Sequence, residues 1–251
     1  MSTVTITTED GIAVITLNRP HVLNAMNVDL LNSLCAALRE AADERAILIQ
    51  GAGRAFCAGE DLKETLAPET GTPEELRVAL ELLQEITRLI TAFPGPVIAA
   101  VHGYAIGGGA ELALAADFVI CSPGTRFRFP EVAIGHALTG GITARLPALI
   151  GLARAKQLLL TSRWVDAEEA LQIGMIAELA DDPQVRAIEL AQELATYAPR
   201  SMRATKLALE SAAQPTQEAA LRWEVDAALF CFSAPEAADA FRRFQDQANL
   251  S

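Results

Sequence analysis

The stretch "HGYAIGGGAELALAAD", His102 to Asp117, places three consecutive glycines directly before Glu111 and an apolar run. Glycines can simply form a turn, and an acid in the first turn of a helix can simply complement the helix dipole. The same features can also build a site, because amides at a helix N-terminus bind an anion or a developing oxyanion. A carboxylate followed by Leu-Ala-Leu-Ala-Ala should be desolvated, which raises its pKa toward the range of a general acid or base.

Buried strands flank this stretch, and strands alternate with helices through the first half of the chain. "GPVIAAVHG" (95–103) and "DFVICS" (117–122) read as strands, and "TVTITTEDGIAVITLNRP" (3–20) reads as a hairpin about Asp10-Gly11. Helices are predicted after the caps Asn27 and Thr72. Helical patterns dominate the later part. We therefore predict an α/β core of strand–strand–helix units over residues 1–190, and a helical region for oligomer contacts over residues 191–251.

The composition predicts a folded protein of the cytoplasm. Hydrophobic residues make up 51% of the chain and charged residues 21%, and the net charge of −12 repels nucleic acid and anionic lipid. An anionic ligand must therefore be held by local donors. The four cysteines and three histidines show no metal-ligand spacing, the N-terminal segment lacks the basic start of a signal peptide, and no window is apolar enough to span a membrane. We expect no metal and no membrane partner.

Two further segments carry candidate chemistry. In "RAFCAGEDLKE" (54–64) the small residues Ala58 and Gly59 let a backbone approach a ligand, although Asp61 could merely cap a short helix. In "FRFPEVAIG" (127–135) Glu131 lies in an apolar context, although it could be a helix-start acid. No lysine follows the glycines and there is no G-x-G-x-x-G, so nucleotide binding by those routes is unsupported.

Five motifs in order give the chain a resemblance that extends nearly from end to end. They are "GIAVITLNRPHVLNAMN", "AFCAGEDLKE", "GPVIAAVHGYAIGGGAELALAAD", "FRFPEVAIG" and "ARAKQLLLTSRWVDAEEALQIGMIAEL". Together they resemble the crotonase family, the enoyl-CoA hydratase/isomerase superfamily. The resemblance implies a crotonase-like α/β fold, a spiral of ββα units with a C-terminal helical region, assembled as trimers or dimers of trimers.

The resemblance also implies a site for an acyl-CoA thioester. The amides of Ala58 and Gly108 would form an oxyanion hole for the thioester oxygen, and such a donor typically contributes about 10²–10³ in rate. Glu111 would deprotonate water for addition at the β-carbon, and Glu131 would protonate the α-carbon. Coenzyme A is part of the substrate, so no separate cofactor is expected. Its predicted contacts are Val22, Ala25, Ala58, Gly59, Glu60, Asp61, Leu62 and Gly108.

The presence of both glutamates favours an enoyl-CoA hydratase, and three alternatives stay open. These are an isomerase or another acyl-CoA reaction on the same hole, a non-catalytic acyl-CoA binder, and an RNA binder, which the charge of −12 disfavours. Many hydratases read like "LIPGAGGTQRL" where this chain has "HALTGGITARL", His136 to Leu146. This segment borders the acyl pocket, so the sequence does not identify the acyl group. His136 adds polarity there, or is merely packed or exposed.

Overall fold

The computed structural model describes residues 2–61, 64 and 72–232, and predicted CoA-contact residue Leu62 lies outside them. The strands are β1 (Val4–Glu9), β2 (Ile12–Leu17), β3 (Ala46–Gly51), β4 (Val97–Val101), β5 (Tyr104–Ile106), β6 (Phe118–Cys121), β7 (Arg126–Arg128), β8 (Val165–Asp166) and β9 (Glu178–Leu179). The helices are α1 (Val28–Glu40), α2 (Pro73–Ala92), α3 (Gly108–Ala115), α4 (Ile142–Ile150), α5 (Leu152–Thr161), α6 (Ala167–Gln172), α7 (Pro183–Ala195) and α8 (Pro199–Phe232).

The main sheet has the strand order β1-β2-β3-β4-β6-β9. The predicted hairpin is confirmed, since β1 pairs antiparallel with β2 and both turn residues, Asp10 and Gly11, have positive φ. From β2 to β9 the pairing is parallel. Parallel strands end at the same edge, where α/β sheets bind ligands. The loops after β3, β4 and β6, which carry the candidate motifs, therefore meet at one edge.

A second, small sheet draws these loops together. β5 pairs parallel with β7, and β7 pairs antiparallel with the two-residue β8. An isolated bridge joins Cys57, in the loop after β3, to Ala105 in β5. Strands of two or three residues show no clear alternation, so the sequence did not predict this sheet. The glycine run follows β5 and Glu131 follows β7, so both lie at the same end of this parallel pair.

Two predicted helix caps are confirmed. The Asn27 side chain accepts a hydrogen bond of 3.0 Å from the Leu30 amide and begins α1, which buries its leucines in the core. Thr72 and Glu75 form a capping box at the start of α2. α1 packs on β1 and β2, and α2 packs on α1, α3 and α8. Through its contact with α3, α2 reaches the edge at which the candidate loops meet.

The structure has no break at residue 190, where the sequence placed the end of the core. That position lies inside α7, whose Ala187 and Ala191 pack against Leu48 and Ile98 of the main sheet. α8 follows and packs on α2 and α4. Its Lys206 is buried and donates hydrogen bonds to the Ile90 and Gly95 carbonyls and to Asp117. Up to residue 232 the helical region is thus continuous with the core, and none of the described helices is long and apolar enough to cross a membrane.

Candidate active site

The glycine run begins α3 with an unusual backbone. Gly107 precedes the helix with φ of 52°, a conformation that a side chain disfavours, and its amide donates to the Arg128 carbonyl of β7 at 2.9 Å. A Cβ on Gly109 would lie 2.4 Å from the Cys57 carbonyl oxygen. The glycines therefore allow α3 to press against the loop after β3 and against β7 at once. Glu111 lies in the first turn of this helix and is 3% exposed.

Both oxygens of Glu111 are held by Thr139. The Thr139 amide donates to Oε1 at 3.0 Å, and its hydroxyl lies 2.5 Å from Oε2. Burial raises the pKa of Glu111 well above its ordinary value, the nearby Glu131 and Glu60 raise it further, and the Thr139 donors oppose the rise. Thr139 lies in the segment 136–146, where the sequence differs from many hydratases, and the sequence predicted no role for it. Its signal was a hydroxyl where the family usually has a glycine.

Glu131 approaches the same glycines from the other side. It begins a 3-10 turn, Glu131–Ile134, after Pro130, and is 5% exposed. A Cβ on Gly107 would lie 2.8 Å from its Oε1. Burial and then the charge of Glu60 raise the pKa of Glu131 to about 8, against the lowering effect of Arg128. Among the described residues no donor pairs with its Oε2. This buried carboxyl is therefore suited to hold a proton at neutral pH.

The structure corrects one predicted oxyanion-hole donor. The Ala58 amide donates to the Leu23 carbonyl at 2.9 Å, so it is already paired within the protein. Met26 forms a parallel bridge with Glu60, accepting from the Asp61 amide at 2.9 Å and donating to the Gly59 carbonyl at 2.8 Å. In such a bridge the amide of Glu60 itself points away from Met26. The converging amides are those of Glu60 and Gly108, and both donate to the Glu60 carboxylate.

The predicted CoA-contact segments lie side by side. Backbone hydrogen bonds join the 22–26 segment to the 58–61 segment. They link Leu23 with Ala58, and Met26 with both Gly59 and Asp61. Arg19 reinforces the junction, since its guanidinium pairs with Asp61 at 2.9 Å and donates to the Ala25 carbonyl. The sequence did not single out Arg19. The two segments are thus held together, and Glu60 links them to Gly108 through its carboxylate.

A small, mostly apolar cavity adjoins Glu111. Its apolar lining comes from α2, α3 and the loop before α1, and consists of Met26, Leu83, Ile86 and Leu112. The sequence did not assign α2 to the site. A larger cavity is lined by Arg45, Tyr197 and Arg200 at the opposite end of the parallel strands. It contains neither buried acid, so cavity size alone does not locate the chemistry.

The two histidines nearest the motifs are His136 and His102. His136 is 9% exposed, and its amide donates to the Glu131 carbonyl at 2.7 Å. Burial lowers the pKa of His136, which keeps the ring neutral at neutral pH. The ring of His102 lies 2.9 Å from the Gly53 carbonyl oxygen. Within the part of the chain that the structure describes, no three His, Cys, Asp or Glu side chains are grouped to hold a metal ion.

Comparisons with known proteins point the same way as the geometry. A sequence profile of the family described as enoyl-CoA hydratase/isomerase matches residues 7–248. A short-chain-enoyl-CoA hydratase of Clostridium acetobutylicum is 34% identical over 248 residues, 96% of this chain and 94% of that protein. A 1,2-epoxyphenylacetyl-CoA isomerase of Escherichia coli is 36% identical over 224 residues, 87% and 86% of the two chains.

A solved structure is similar over almost the whole length. An enoyl-CoA hydratase/isomerase from Mycobacterium paratuberculosis superposes with a TM-score of 0.91 at 27% identity. The superposition covers 97% of this chain and 98% of that one.

Proposed function

Because this chain belongs to the enoyl-CoA hydratase/isomerase family, we propose that it is a hydratase that adds water across the double bond of a trans-2-enoyl-CoA. The observation that carries the proposal is the pair of buried carboxyls, Glu111 and Glu131, on two sides of the glycines that begin α3. Hydration needs one group to take a proton from water and another to give a proton to carbon.

The amides of Glu60 and Gly108 form the proposed oxyanion hole, with Glu60 in place of Ala58. They are the converging amides at the head of α3, beside both acids. As hydroxide adds to the β-carbon, negative charge moves onto the thioester oxygen. Preorganised donors aimed at that oxygen stabilise the enolate-like transition state, and each contributes about 10²–10³ in rate.

The hydrogen bonds to the two acids support a division of roles. The Thr139 amide can only donate, so its bond to Glu111 opposes the rise in the pKa of that carboxyl and supports its role as the base. Glu131 has no comparable donor at Oε2 among the described residues and favours the protonated acid. Glu111 then takes a proton from water while the water oxygen bonds to the β-carbon. Glu131 delivers its proton to the α-carbon, and exchange with solvent restores the starting protonation states.

A short acyl chain suits the proposed site. The side chains beside Glu111 are mostly apolar, so they suit a short hydrocarbon chain better than a charged substituent. The Clostridium relative bears the name of a short-chain-enoyl-CoA hydratase. Crotonyl-CoA, with four acyl carbons, is therefore the first substrate to assay. Val22, Ala25 and residues 58–62, together with Gly108, are the proposed CoA contacts.

We also propose that the protein assembles as a trimer or a dimer of trimers in the cytoplasm, without nucleic acid, membrane or a separate cofactor. Several large apolar side chains on the outer helices are exposed, which supports an oligomer interface. They are Leu149, Leu152, Leu160, Leu209 and Trp223. Three of the cysteines are buried free thiols, as is common in a reducing compartment.

Double-bond isomerisation is the second candidate, since the matching family is described as enoyl-CoA hydratase/isomerase. The two reactions separate in one assay with trans-2- and trans-3-enoyl-CoA thioesters. A hydratase removes the absorbance of the conjugated trans-2 thioester and leaves the trans-3 thioester unchanged. An isomerase creates that absorbance from the trans-3 thioester. We expect rapid loss of absorbance with crotonyl-CoA. Rapid conversion of a trans-3-enoyl-CoA, without hydration of any trans-2-enoyl-CoA, would replace the hydratase proposal.

A further inference from the structure

The side chain of Glu60 lies in the space that the proposed oxyanion hole must offer to a substrate. Its Oε2 accepts a hydrogen bond of 3.3 Å from the Gly108 amide, and its own amide donates to the same carboxylate. A Cβ on Gly108 would meet Oε1 at 2.8 Å, and a Cβ on Gly107 would meet Oε2 at 3.2 Å. The carboxylate thus covers the backbone of both glycines.

A thioester oxygen cannot share this position with the carboxylate. Two oxygens that both lie at hydrogen-bond distance from the Gly108 and Glu60 amides would compete for the same two donors. An ionised Glu60 would also repel the negative charge that develops on the thioester oxygen. Productive binding therefore requires that the Glu60 side chain leave the hole.

The surroundings of Glu60 make that movement feasible. Its backbone is fixed by the bridge to Met26, whereas its side chain is partly exposed and is bound only within the hole among the contacts described. Two buried acids, Glu111 and Glu131, lie close enough to interact electrostatically with it. Burial raises the pKa of Glu60, so a rotation toward solvent would relieve the cost of keeping its charged form in the hole.

We propose that the Glu60 carboxylate closes the oxyanion hole of the substrate-free enzyme as an internal mimic of the thioester oxygen, and that acyl-CoA binds by exchanging its carbonyl for this side chain. The inference rests on the proposed function for the identity of the hole. It makes Glu60 a determinant of thioester affinity through its side chain, separate from the donor role of its amide.

The test compares two ligands in the Glu60→Ala variant, which keeps the amide and removes the carboxylate. Butyryl-CoA carries a thioester carbonyl, and S-butyl-CoA is the thioether that lacks it; neither has a double bond to hydrate. Calorimetric titration should show that Glu60→Ala tightens butyryl-CoA binding about tenfold, the worth of one hydrogen bond to a charged group, and leaves S-butyl-CoA binding unchanged.

Two control variants separate exchange from a general charge effect. Glu64→Ala removes an exposed carboxylate from the same loop, one that pairs with Arg19 instead of the hole, and should not change the ratio of the two affinities. Glu60→Gln keeps a neutral carbonyl that can still occupy the hole, and should give an intermediate gain. If Glu60→Ala increased the affinity for both ligands equally, or did not increase the affinity for butyryl-CoA, the proposed exchange of the carboxylate for the thioester carbonyl would be wrong.

Crotonyl-CoA hydration by the wild-type enzyme is measured in parallel. If the wild type hydrates crotonyl-CoA but Glu60→Ala shows no selective gain for the thioester, the exchange alone is wrong. If the gain appears but no enoyl-CoA is hydrated, the exchange stands and the hydratase proposal fails.

Discussion

Thr139 contributes two hydrogen-bond donors to the site, its backbone amide and its hydroxyl. Of these two, the sequence could have suggested only the hydroxyl. The amide holds Oε1 of Glu111 and depends on the path of the loop, whereas the hydroxyl holds Oε2 and depends on the residue type. A substitution can therefore remove one bond and keep the other.

We expect Thr139→Val to raise the pKa of Glu111 and to lower kcat for crotonyl-CoA by about tenfold or more, since a hydrogen bond to a charged group contributes about 1.5–3 kcal/mol. Loss of a donor to the carboxylate disfavours its ionised form, so the acid limb of the kcat profile should move to higher pH. Thr161→Val, at the exposed end of α5, is the control. An unchanged pH profile in Thr139→Val would show that the hydroxyl does not bear on Glu111.

The raised pKa of Glu131 should make the free energy of unfolding depend on pH. The raised pKa, from 4.5 to about 8, means that between these values the folded protein keeps a proton that the unfolded chain releases. The free energy of unfolding therefore falls as the pH rises through this window. Glu131→Gln removes the effect.

The Glu131→Gln variant should accordingly melt at a higher temperature than the wild type at pH 8, and the difference should shrink toward pH 5. Thermal unfolding at both pH values measures this, with Glu189→Gln on the exposed face of α7 as the control. A variant no more stable than the wild type at pH 8 would contradict the raised pKa.

Among the residues, the sequence singled out the two acids, whereas the amide of Ala58, predicted for the oxyanion hole, donates to the Leu23 carbonyl. Glu111 and Glu131 stood out because each is a lone acid among apolar residues, and the structure brings them to the same glycines. Ala58 was chosen because it is small and stands in the motif. The proposed donor is instead the amide that the bridge between Met26 and Glu60 leaves facing the glycines. The spacing of residues in the sequence does not show which amide that is.

Among the elements, α8 reaches the site through one buried carboxylate, Glu224. Its two oxygens accept hydrogen bonds from the amides of Gly141 and Thr143 and from the Thr143 hydroxyl, so it binds the N-terminus of α4. Burial raises the pKa of Glu224 to about 6, against these donors. Thr139 and Gly140 directly precede Gly141 in the chain. The contact with Glu224 therefore helps to fix the loop whose Thr139 amide holds Glu111.

We expect Glu224→Ala to lower the free energy of unfolding by about 2–4 kcal/mol, because it leaves several buried donors unpaired. Urea unfolding measures the loss. Glu218→Ala, on the same helix, removes a carboxylate that pairs with Arg88 and Arg222 at the surface, and should cost less than about 1 kcal/mol. Equal costs for the two variants would show that Glu224 does not anchor α4.

Elements with strong local signals were predictable from the sequence. The hairpin, α1 and α2 each carried a turn or cap residue next to a long apolar pattern, and the structure confirms all three. β5, β7 and β8 carried no such signal. They form because the loops that follow the parallel strands are brought to one edge, which is a property of the tertiary fold.

For the whole molecule, the predicted crotonase-like α/β fold is confirmed by its structural relatives, whereas the proposed assembly is open to direct measurement. Exposed apolar side chains on α4, α5 and α8 should be covered in an oligomer. Sedimentation equilibrium should give three or six times the mass of one chain. A monomer at micromolar concentration would contradict the assembly and leave that apolar surface without a partner.

In the proposed mechanism two carboxyls, Glu111 and Glu131, act together to add water to an enoyl-CoA. The most direct measurement is kcat for crotonyl-CoA hydration by the wild type, Glu111→Gln and Glu131→Gln, with folding of each variant checked by its thermal transition. We expect each substitution to lower kcat by about 10²–10⁴, the usual contribution of a general acid or base. Near wild-type turnover by either folded variant would contradict the two-carboxylate mechanism.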